Sequence, residues 1–266
     1  MAKRTTEPRI SQQEWLAELA EVRPEVAVAG FWDNLEVLCD GWAKEISVGP
    51  YWEEVKAHLK DWRYAYRTRT GGALLASPAL PTFEGKKTSR ILSKLHCERL
   101  HRDDYANFVF PDSGPPIPEL RDLVRTRVMC KYIDGVRFFS DKLFGLAEEM
   151  RLSPKCVQEA RPEGYFARHI NFKSSVFYRI AGTETPGEVR CEVQVATELA
   201  TRIWEATHPI YEAEREHEQA SEEWQWDPKD PRFISRQLGH MIHLADGLIL
   251  RLREASHPSE TERKRK

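Results

Sequence analysis

The segment C-E-V-Q-V-A-T, residues 191–197, places a carboxylate and an amide on one face of a predicted β-strand. Successive side chains of a strand point to opposite faces, so Glu192 and Gln194 share one face and the apolar residues Cys191, Val193 and Val195 share the other. The polar face fits two interpretations. It is either a solvated face of an antiparallel sheet, or a metal-binding carboxylate and its neighbour held on a rigid strand.

Three basic side chains recur every four residues at Lys86, Arg90 and Lys94. We expect a helix over residues 86–102, on which this spacing places the three cations on one face, with Lys87 beside them. Such a row is either a solvated stripe or a cradle for a polyphosphate, since stacked cations can contact successive phosphate groups.

Asp122 stands at the entrance of a β-rich segment, D-L-V-R-T-R-V-M-C, in which Arg125 and Arg127 share a strand face. Asp122 has the other parity, unless the strand begins after it or contains a bulge. By itself, a cap or loop role explains this residue as well as a role as a metal ligand does.

Gly164 and Tyr165 precede His169 at the start of another predicted strand. A glycine lets the backbone approach a ligand closely, and a tyrosine beside it could stack on a nucleotide base. A core tyrosine at the start of a strand explains the same pattern.

The composition indicates a soluble globular protein of 266 residues, 41% hydrophobic and 31% charged. No stretch has the length and apolar character of a membrane span or of a signal peptide, so we expect a cytoplasmic protein. The five cysteines form no C-x-x-C pair, which argues against a disulfide framework and a structural zinc site. The net charge of −2 excludes nucleic-acid binding by global charge and is compatible with a local basic patch.

The periodicity of apolar residues predicts helices at both ends of the chain and strands in the middle. Ser11 and Glu14 form a capping-box pattern before the first helix, and helices are expected at 30–45, 50–66, 134–150, 197–219 and 232–255. Strands are expected at 122–130, 164–180 and 189–197, with a loop at 68–83, a break at 111–118 and a turn at 183–188.

These elements predict an α+β fold with a mixed central β-sheet of about four to five strands flanked by helices. The expected organisation is an N-terminal helical extension (1–70), a core domain (80–220), a C-terminal helix (221–256) and a disordered basic tail (257–266).

Taken together and in order, the motifs resemble the RelA/SpoT-type nucleotide pyrophosphokinase domain over about residues 80–215. The matching segments are G-K-K-T-S-R-I-L-S-K-L, D-L-V-R-T-R, G-Y-F-A-R-H, E-V-Q-V-A-T and I-W-E-A-T-H-P-I-Y. The residues of several of these segments look most similar to those of the toxic small alarmone synthetases, which are single-domain members of toxin–antitoxin pairs.

The resemblance implies an enzyme that transfers the β,γ-pyrophosphate of ATP to a ribose 3′-hydroxyl. In such an enzyme Asp122 and Glu192 would hold Mg²⁺, and Glu192 or a neighbour would take the proton from the attacking hydroxyl. The residues expected to bind ATP are Lys86, Arg90, Lys94 and Arg127, with Arg127 packed on the adenine.

On the acceptor side, the resemblance implies that Tyr165 stacks on the acceptor base. His169, Gln194 and Arg125 would complete the acceptor site. These roles agree with the chemistry of phosphoryl-type transfer, which consists mostly of positioning and of charge neutralisation on the phosphate oxygens.

The chain departs from the family pattern at four positions. Glu84 replaces an arginine that usually precedes the first lysine by two residues, and Arg90 replaces a serine. Arg125 replaces the glycine of D-x-x-G-x-R, and Ala196 replaces the arginine of E-I-Q-I-R-T. The changes at 125 and 196 are expected near the acceptor, so a free guanosine nucleotide is not assumed as the acceptor.

The segment H-M-I-H-L-A-D carries His240, His243 and Asp246 on one predicted helix. Histidines three residues apart among apolar residues are more typical of a packed helix face than of a metal site. The hydrolase domain of larger family members precedes the synthetase and has an adjacent His-Asp pair, which this chain lacks. We therefore expect a synthetase-only chain.

The segment K-D-W-R-Y-A-Y-R-T-R interleaves aromatic residues with Lys60, Arg63, Arg67 and Arg69. This mixture suits an RNA backbone and exposed bases, and equally suits a helix end with aromatic residues in the core. The absence of the family arginine at position 196 favours tRNA, modified at its 3′-terminal adenosine, as the acceptor, with an antitoxin protein as a further partner. A free guanosine or adenosine nucleotide is the alternative acceptor, and a catalytically inactive nucleotide sensor is a second alternative.

Overall fold

The computed structural model describes residues 11–98, 120–180, 183–216 and 222–256. Within these ranges the α-helices are α1 (Gln12–Val22), α2 (Phe31–Ser47), α3 (Pro50–Thr70), α4 (Thr88–Glu98), α5 (Ile133–Glu149), α6 (Glu198–Glu216) and α7 (Pro231–Ser256). The strands are β1 (Glu84–Gly85), β2 (Val124–Cys130), β3 (Lys155–Ala160), β4 (Phe166–Ile180) and β5 (Thr183–Thr197). Among the described residues, no helix is long and apolar enough to cross a membrane.

The five strands form one sheet in the order β1-β2-β5-β4-β3. β1 pairs antiparallel with β2, and β3 pairs antiparallel with β4 over their whole common length, from Lys155 opposite Asn171 to Ala160 opposite Phe166. The α+β class and the mixed open sheet confirm the predicted fold class.

The chain divides into two compact units. The first comprises residues 1–47, 83–125 and 173–191, and the second comprises residues 48–82, 126–172 and 192–266. The predicted division into a helical extension, a core and a C-terminal helix stays a prediction.

In the first unit, α1 begins with the predicted capping box. The Ser11 side chain accepts from the Glu14 amide at 3.2 Å, and the Glu14 carboxylate accepts from the Ser11 amide at 2.6 Å. Helix α2 packs on β1 and on α4 and buries one apolar face, which includes Leu35, Cys39 and Trp42. This packing fixes the position of the chain just before α4.

In the second unit, α3 begins at Pro50 and ends at Thr70, and the following Gly71, with a φ of 71°, caps the helix in the left-handed region. Its buried aromatic residues pack on α5, with Trp62 edge-on to Phe139 at 5.8 Å between ring centroids. The hydroxyl of Tyr66 donates to Asp134 at 2.8 Å. α3 and α5 therefore share one aromatic core.

The predicted element pattern differs from the structure in several places. β1 and β3 were not predicted, and α3 extends to Thr70, into the predicted loop at 68–83. The predicted turn at 183–188 is part of β5, and the helix predicted from residue 86 begins at Thr88. The predicted break at 111–118, and the end of the basic helix beyond residue 98, lie outside the described residues.

Candidate active site

Four charged side chains of the first unit form the lysine–aspartate cluster, which consists of Lys86, Lys94, Asp122 and Arg125. Lys86 donates to Asp122 Oδ2 at 2.6 Å, and Lys94 donates to Oδ1 of the same carboxylate. Lys94 also donates to the carbonyl oxygen of Arg121 at 2.8 Å. Nη1 of Arg125 lies 4.0 Å from Asp122 Oδ2. Both carboxylate oxygens of Asp122 are therefore engaged by ammonium groups.

The pairing of β1 with the start of β2 brings this cluster together. Gly85 lies opposite Val124, and the amide of Lys86 donates to the carbonyl oxygen of Leu123 at 2.8 Å. Asp122 precedes the strand and has a φ of 59°, a left-handed conformation that aspartate tolerates better than most residues. The strand begins after Asp122, which resolves the question of its parity.

The predicted row of three cations on one helix is wrong in its first member. Lys86 lies before α4, and only Arg90 and Lys94 belong to that helix. Arg90 is exposed. The two lysines meet at Asp122 because of the tertiary fold rather than because of helical spacing.

The cluster carries a surplus of positive charge, since three cations stand around one carboxylate. Burial opposes ionisation of Asp122, but the charges of Lys94 and Lys86 outweigh it, so the pKa of this carboxyl is lowered from its ordinary value. Asp122 is thus an anion near neutral pH, and the remaining charge of the cluster attracts a polyanion.

A chain of polar contacts in the second unit runs through Arg127, Gln194, Glu192, His169 and Tyr165, and we name it the Glu192 network. Gln194 Nε2 donates to Glu192 Oε1 at 2.7 Å, and His169 Nδ1 lies 3.2 Å from Glu192 Oε2. Nε2 of His169 and the hydroxyl of Tyr165 are 2.9 Å apart. Glu192 and Gln194 are both buried, which excludes the interpretation of their strand face as a solvated one.

Arg127 fixes the orientation of the Gln194 amide. Its Nε and Nη2 both donate to Gln194 Oε1 at 3.0 Å, and Nη1 lies 3.8 Å from a carboxylate oxygen of Glu205. Because the guanidinium only donates, the amide must turn its oxygen toward Arg127 and its NH₂ group toward Glu192. Arg127 therefore acts on Glu192 through Gln194.

Tyr165 is buried against other aromatic and charged groups. Its ring lies 4.5 Å from that of Trp204 at an interplanar angle of 50°, and the guanidinium carbon of Arg161 lies 5.8 Å from its centroid. Tyr165 also forms a buried apolar cluster with Ala167 and Ala196. Burial raises the pKa of Tyr165 to about 12, so its hydroxyl stays protonated near neutral pH.

Gly164 approaches a helix backbone in this structure. Its φ is +80°, and a Cβ added there would lie 2.7 Å from the carbonyl oxygen of Arg236 and 2.9 Å from Cα of Gly239, both in α7. A side chain at 164 is excluded by this contact as well as by the backbone conformation. The close approach to a ligand, which the sequence suggested for this glycine, is not needed to explain it.

Both histidines of α7 contact the ring of Phe166, although His240 is exposed. The ring of His243 stacks on Phe166 with centroids 3.8 Å apart, and the ring of His240 lies edge-on to Phe166 at 5.4 Å. Asp246 is buried and accepts a hydrogen bond from Thr197. The described residues include no group of three or more His, Cys, Asp or Glu side chains that could hold a metal ion.

The basic-aromatic segment of α3 is divided between core and surface. Trp62 and Tyr66 are buried, whereas Tyr64 is 73% exposed. Arg63 donates to the carbonyl oxygens of Ser77 and Pro78, both at 2.8 Å. The guanidinium carbon of Arg69 lies 5.1 Å above the ring of Phe138. The exposed part of the predicted RNA surface therefore includes Lys60, Tyr64, Arg67 and Arg69.

The sequence matches no protein-family model, and comparison with curated proteins gives no match. Comparison with solved structures does. The fold is similar to that of small alarmone synthetase 1 from Bacillus subtilis, with a TM-score of 0.53 and 16% identity over 86% of this chain and 100% of that chain.

Two further structures are similar at lower scores. The same Bacillus subtilis protein bound to its product pppGpp has a TM-score of 0.49 and 17% identity, over 82% of this chain and 99% of that one. A GTP pyrophosphokinase family protein from Streptococcus pneumoniae has a TM-score of 0.46 and 20% identity, over 77% of this chain and 90% of that one. At these identities the first comparison establishes a shared fold, and the predicted small alarmone synthetase fold is confirmed.

The structure thus groups the expected site residues into two sets. Asp122 lies in the first unit with both lysines and with Arg125, which was expected on the acceptor side. Glu192 lies in the second unit with the expected acceptor residues Tyr165, His169 and Gln194, and with Arg127, which was expected to bind ATP. Arg161 and Glu205, which also contact the second set, were missed by the sequence analysis. The sequence indicated them only by their charge and position, since Arg161 lies three residues before Gly164 and Glu205 lies next to Trp204.

Proposed function

We propose that this chain is an ATP-dependent pyrophosphokinase, which transfers the β,γ-pyrophosphate of ATP to a ribose 3′-hydroxyl. The observation that carries the proposal is the lysine–aspartate cluster. Its excess of positive charge suits a polyphosphate, and its carboxylate suits a divalent ion. The fold shared with a small alarmone synthetase supports the same reaction class.

In this reaction Lys86 and Lys94 bind the β- and γ-phosphates of ATP and release Asp122 as they do so. Asp122 is then available to Mg²⁺, with Glu192 as the second proposed ligand. The donors fit the ion, since Mg²⁺ in proteins is usually held by one or two carboxylates and by substrate phosphates. Bound Mg²⁺ would neutralise the negative charge of the phosphate oxygens.

The proposed transfer forms a bond between the acceptor O3′ and the β-phosphorus of ATP. The bond from the β-phosphorus to the oxygen that bridges the α- and β-phosphates breaks, and AMP leaves. Glu192 or a neighbouring group of its network takes the proton of the acceptor hydroxyl. Arg127 and Gln194 hold Glu192 in place, and a buried, preorganised network needs little rearrangement at the moment of reaction.

The acceptor that we propose is the 3′-terminal adenosine of tRNA. Supporting this choice, Tyr64 is a largely exposed aromatic residue between Lys60 and Arg67, at helical spacings of four and three residues. Cations and an exposed ring on one face suit an RNA backbone and an unstacked base. Such a modification would block aminoacylation, and a neutralising antitoxin would then be required in the cell.

A free guanosine or adenosine nucleotide is the second candidate acceptor. The burial of Trp62 and Tyr66 favours it, because two of the aromatic residues expected to meet RNA belong to the core. A free nucleotide needs a pocket and no extended basic surface.

The test is a reaction series with ATP labelled at the γ-phosphate, Mg²⁺ and the purified chain. The acceptor is deacylated tRNA, tRNA with a periodate-oxidised 3′-end, or one of GDP, GTP, AMP, ADP and ATP. Label on intact tRNA alone supports the tRNA proposal, and label on a free nucleotide replaces it with alarmone synthesis. ATP binding without AMP formation under every condition refutes the enzyme and indicates a nucleotide sensor.

A further inference from the structure

The backbone of helix α7 contacts the backbone of the turn that carries Tyr165. A Cβ added at Gly239 would lie 2.8 Å from Cα of Gly164 and 2.9 Å from its carbonyl carbon. Real Cβ atoms essentially never approach other heavy atoms so closely, because the overlap is strongly repulsive. The fit between the helix and the turn therefore depends on a glycine on each side.

Two histidines of α7 hold the same turn next to this contact. Nε2 of His240 lies 3.1 Å from the carbonyl oxygen of Pro162. The ring of His243 stacks on that of Phe166 at an interplanar angle of 6°. The contacts thus fall on both sides of Tyr165 in the chain, and they leave the turn little freedom to move.

The same face of α7 also reaches the end of β5. Asp246 accepts a hydrogen bond from the side chain of Thr197, the last residue of that strand. The Thr197 oxygen in turn accepts from the amide of Ala200 at 3.1 Å and so caps α6. One helix therefore contacts both the segment before His169 and the segment after Gln194.

We propose that α7 is a positioning element of the acceptor site, in which Gly239 and His243 hold Tyr165 through its chain neighbours Gly164 and Phe166. The inference rests on the proposed function, in which Tyr165 belongs to the acceptor side. It assigns a role in acceptor use to a helix that lies outside the segment carrying the family resemblance. Gly239 and His243 would act on the acceptor through these chain neighbours.

The test compares Gly239→Ala with Gly247→Ala. Both replacements lie in α7, and both remove a glycine from a helix interior. At Gly247 a Cβ meets nothing within 4 Å, so Gly247→Ala is the matched control. Gly239→Ala is expected to raise the KM for the acceptor by about 10- to 100-fold, the order of loss that a misplacement of about 1 Å causes. The KM for ATP should stay within about threefold of the wild-type value, and Gly247→Ala should behave as wild type.

A second pair of variants covers the case in which Gly239→Ala fails to fold. His243→Ala removes the ring that stacks on Phe166, whereas His243→Phe keeps an aromatic ring there. We expect His243→Ala to raise the acceptor KM and His243→Phe to restore most of the loss. A purely structural role would lower the melting temperature and the active fraction without changing either KM.

The outcomes separate the inference from the proposed function. If the wild-type chain transfers pyrophosphate and the acceptor KM is unchanged in the folded variants, the inference is wrong and the proposed function stands. An equal rise of both KM values also overturns the inference. If the wild-type chain transfers nothing to any acceptor, the proposed function fails and the inference fails with it.

Discussion

Replacement of Lys86 by methionine should change the affinity for a divalent ion and the affinity for ATP in opposite directions. In the structure, the carboxylate of Asp122 is neutralised by Lys86 at 2.6 Å and by Lys94. A divalent ion must displace an ammonium group to reach this carboxylate, whereas the phosphates of ATP attract the same ammonium groups. Removal of one lysine therefore favours the ion and disfavours the nucleotide.

The expected magnitude follows from the strength of the displaced bond. A hydrogen bond to a charged group contributes about 1.5–3 kcal/mol, and about 1.4 kcal/mol corresponds to a factor of ten in affinity. The Lys86 side chain is only 10% exposed, so solvent screening reduces this value little. Lys86→Met should tighten Mn²⁺ binding about 10- to 100-fold without nucleotide and weaken ATP binding by a comparable factor.

The assay uses Mn²⁺ in place of Mg²⁺, since the spin resonance signal of free Mn²⁺ reports its binding directly. Calorimetry with a non-hydrolysable ATP analogue gives the nucleotide affinity of the same preparations. Lys87→Met is the matched control, because Lys87 pairs with Glu36 at 3.1 Å and with Asp40 at 3.5 Å instead. Asp122→Asn should abolish tight Mn²⁺ binding. Unchanged or weaker Mn²⁺ binding in Lys86→Met would refute the reasoning.

Three further predictions concern the second unit. Arg127→Met releases the Gln194 amide, which orients Glu192. Steady-state kinetics should therefore show kcat lowered about 10- to 100-fold, with the affinity for ATP nearly unchanged. A selective loss of ATP affinity would instead support packing of Arg127 on the adenine. Burial raises the pKa of Asp246 in the folded chain. The free energy of unfolding therefore falls as the pH rises from the ordinary carboxyl pKa of about 4 through the raised pKa of the folded state. Asp246→Asn should therefore raise the melting temperature at pH 8 by about 2–4 °C but not at acid pH, and an equal gain at both would contradict it. Arg253→Met removes the partner that donates to Asp134 at 2.7 Å and should lower the free energy of unfolding by about 1.5–3 kcal/mol, measured by urea unfolding. A loss below about 0.5 kcal/mol would refute a stabilising role of this pair.

The elements predicted best are those with strong local signals. The capping box at Ser11 and Glu14 and the alternation in β2 are properties of neighbouring residues, and both appear in the structure. β1 has only two residues and is too short to show any periodicity. β3 exposes most of its side chains, as an edge strand does, so no apolar alternation revealed it.

The predicted turn at 183–188 shows how pairing overrides local preference. Pro186 and Gly187 are strong turn signals, yet both lie within the 15-residue strand β5. β5 has neighbours on both sides in the sheet order. Strand formation there depends on pairing with neighbouring strands, one of which is β4, and the local turn preference of two residues does not represent this pairing.

The sequence indicated candidate site residues but not their arrangement. Lys86 and Lys94 were grouped by helical spacing, but the pairing of β1 with β2 and the carboxylate of Asp122 bring them together. The contacts of α7 with the Tyr165 turn join residues about 75 positions apart (Gly164 and Gly239). No sequence motif connects such segments, so their relation emerges only from the tertiary fold.

The replacement of the family arginine by Ala196 bears on whether this chain is an enzyme or a decayed sensor. Ala196 is buried with Tyr165 and Ala167, and Trp204 packs against this cluster. An arginine side chain is much larger than alanine, so an arginine in this buried cluster would force neighbouring side chains to move. The alanine is therefore matched to its surroundings and supports the position of Tyr165. A residue that packs against Tyr165 in this way supports a retained acceptor site rather than a decayed sensor.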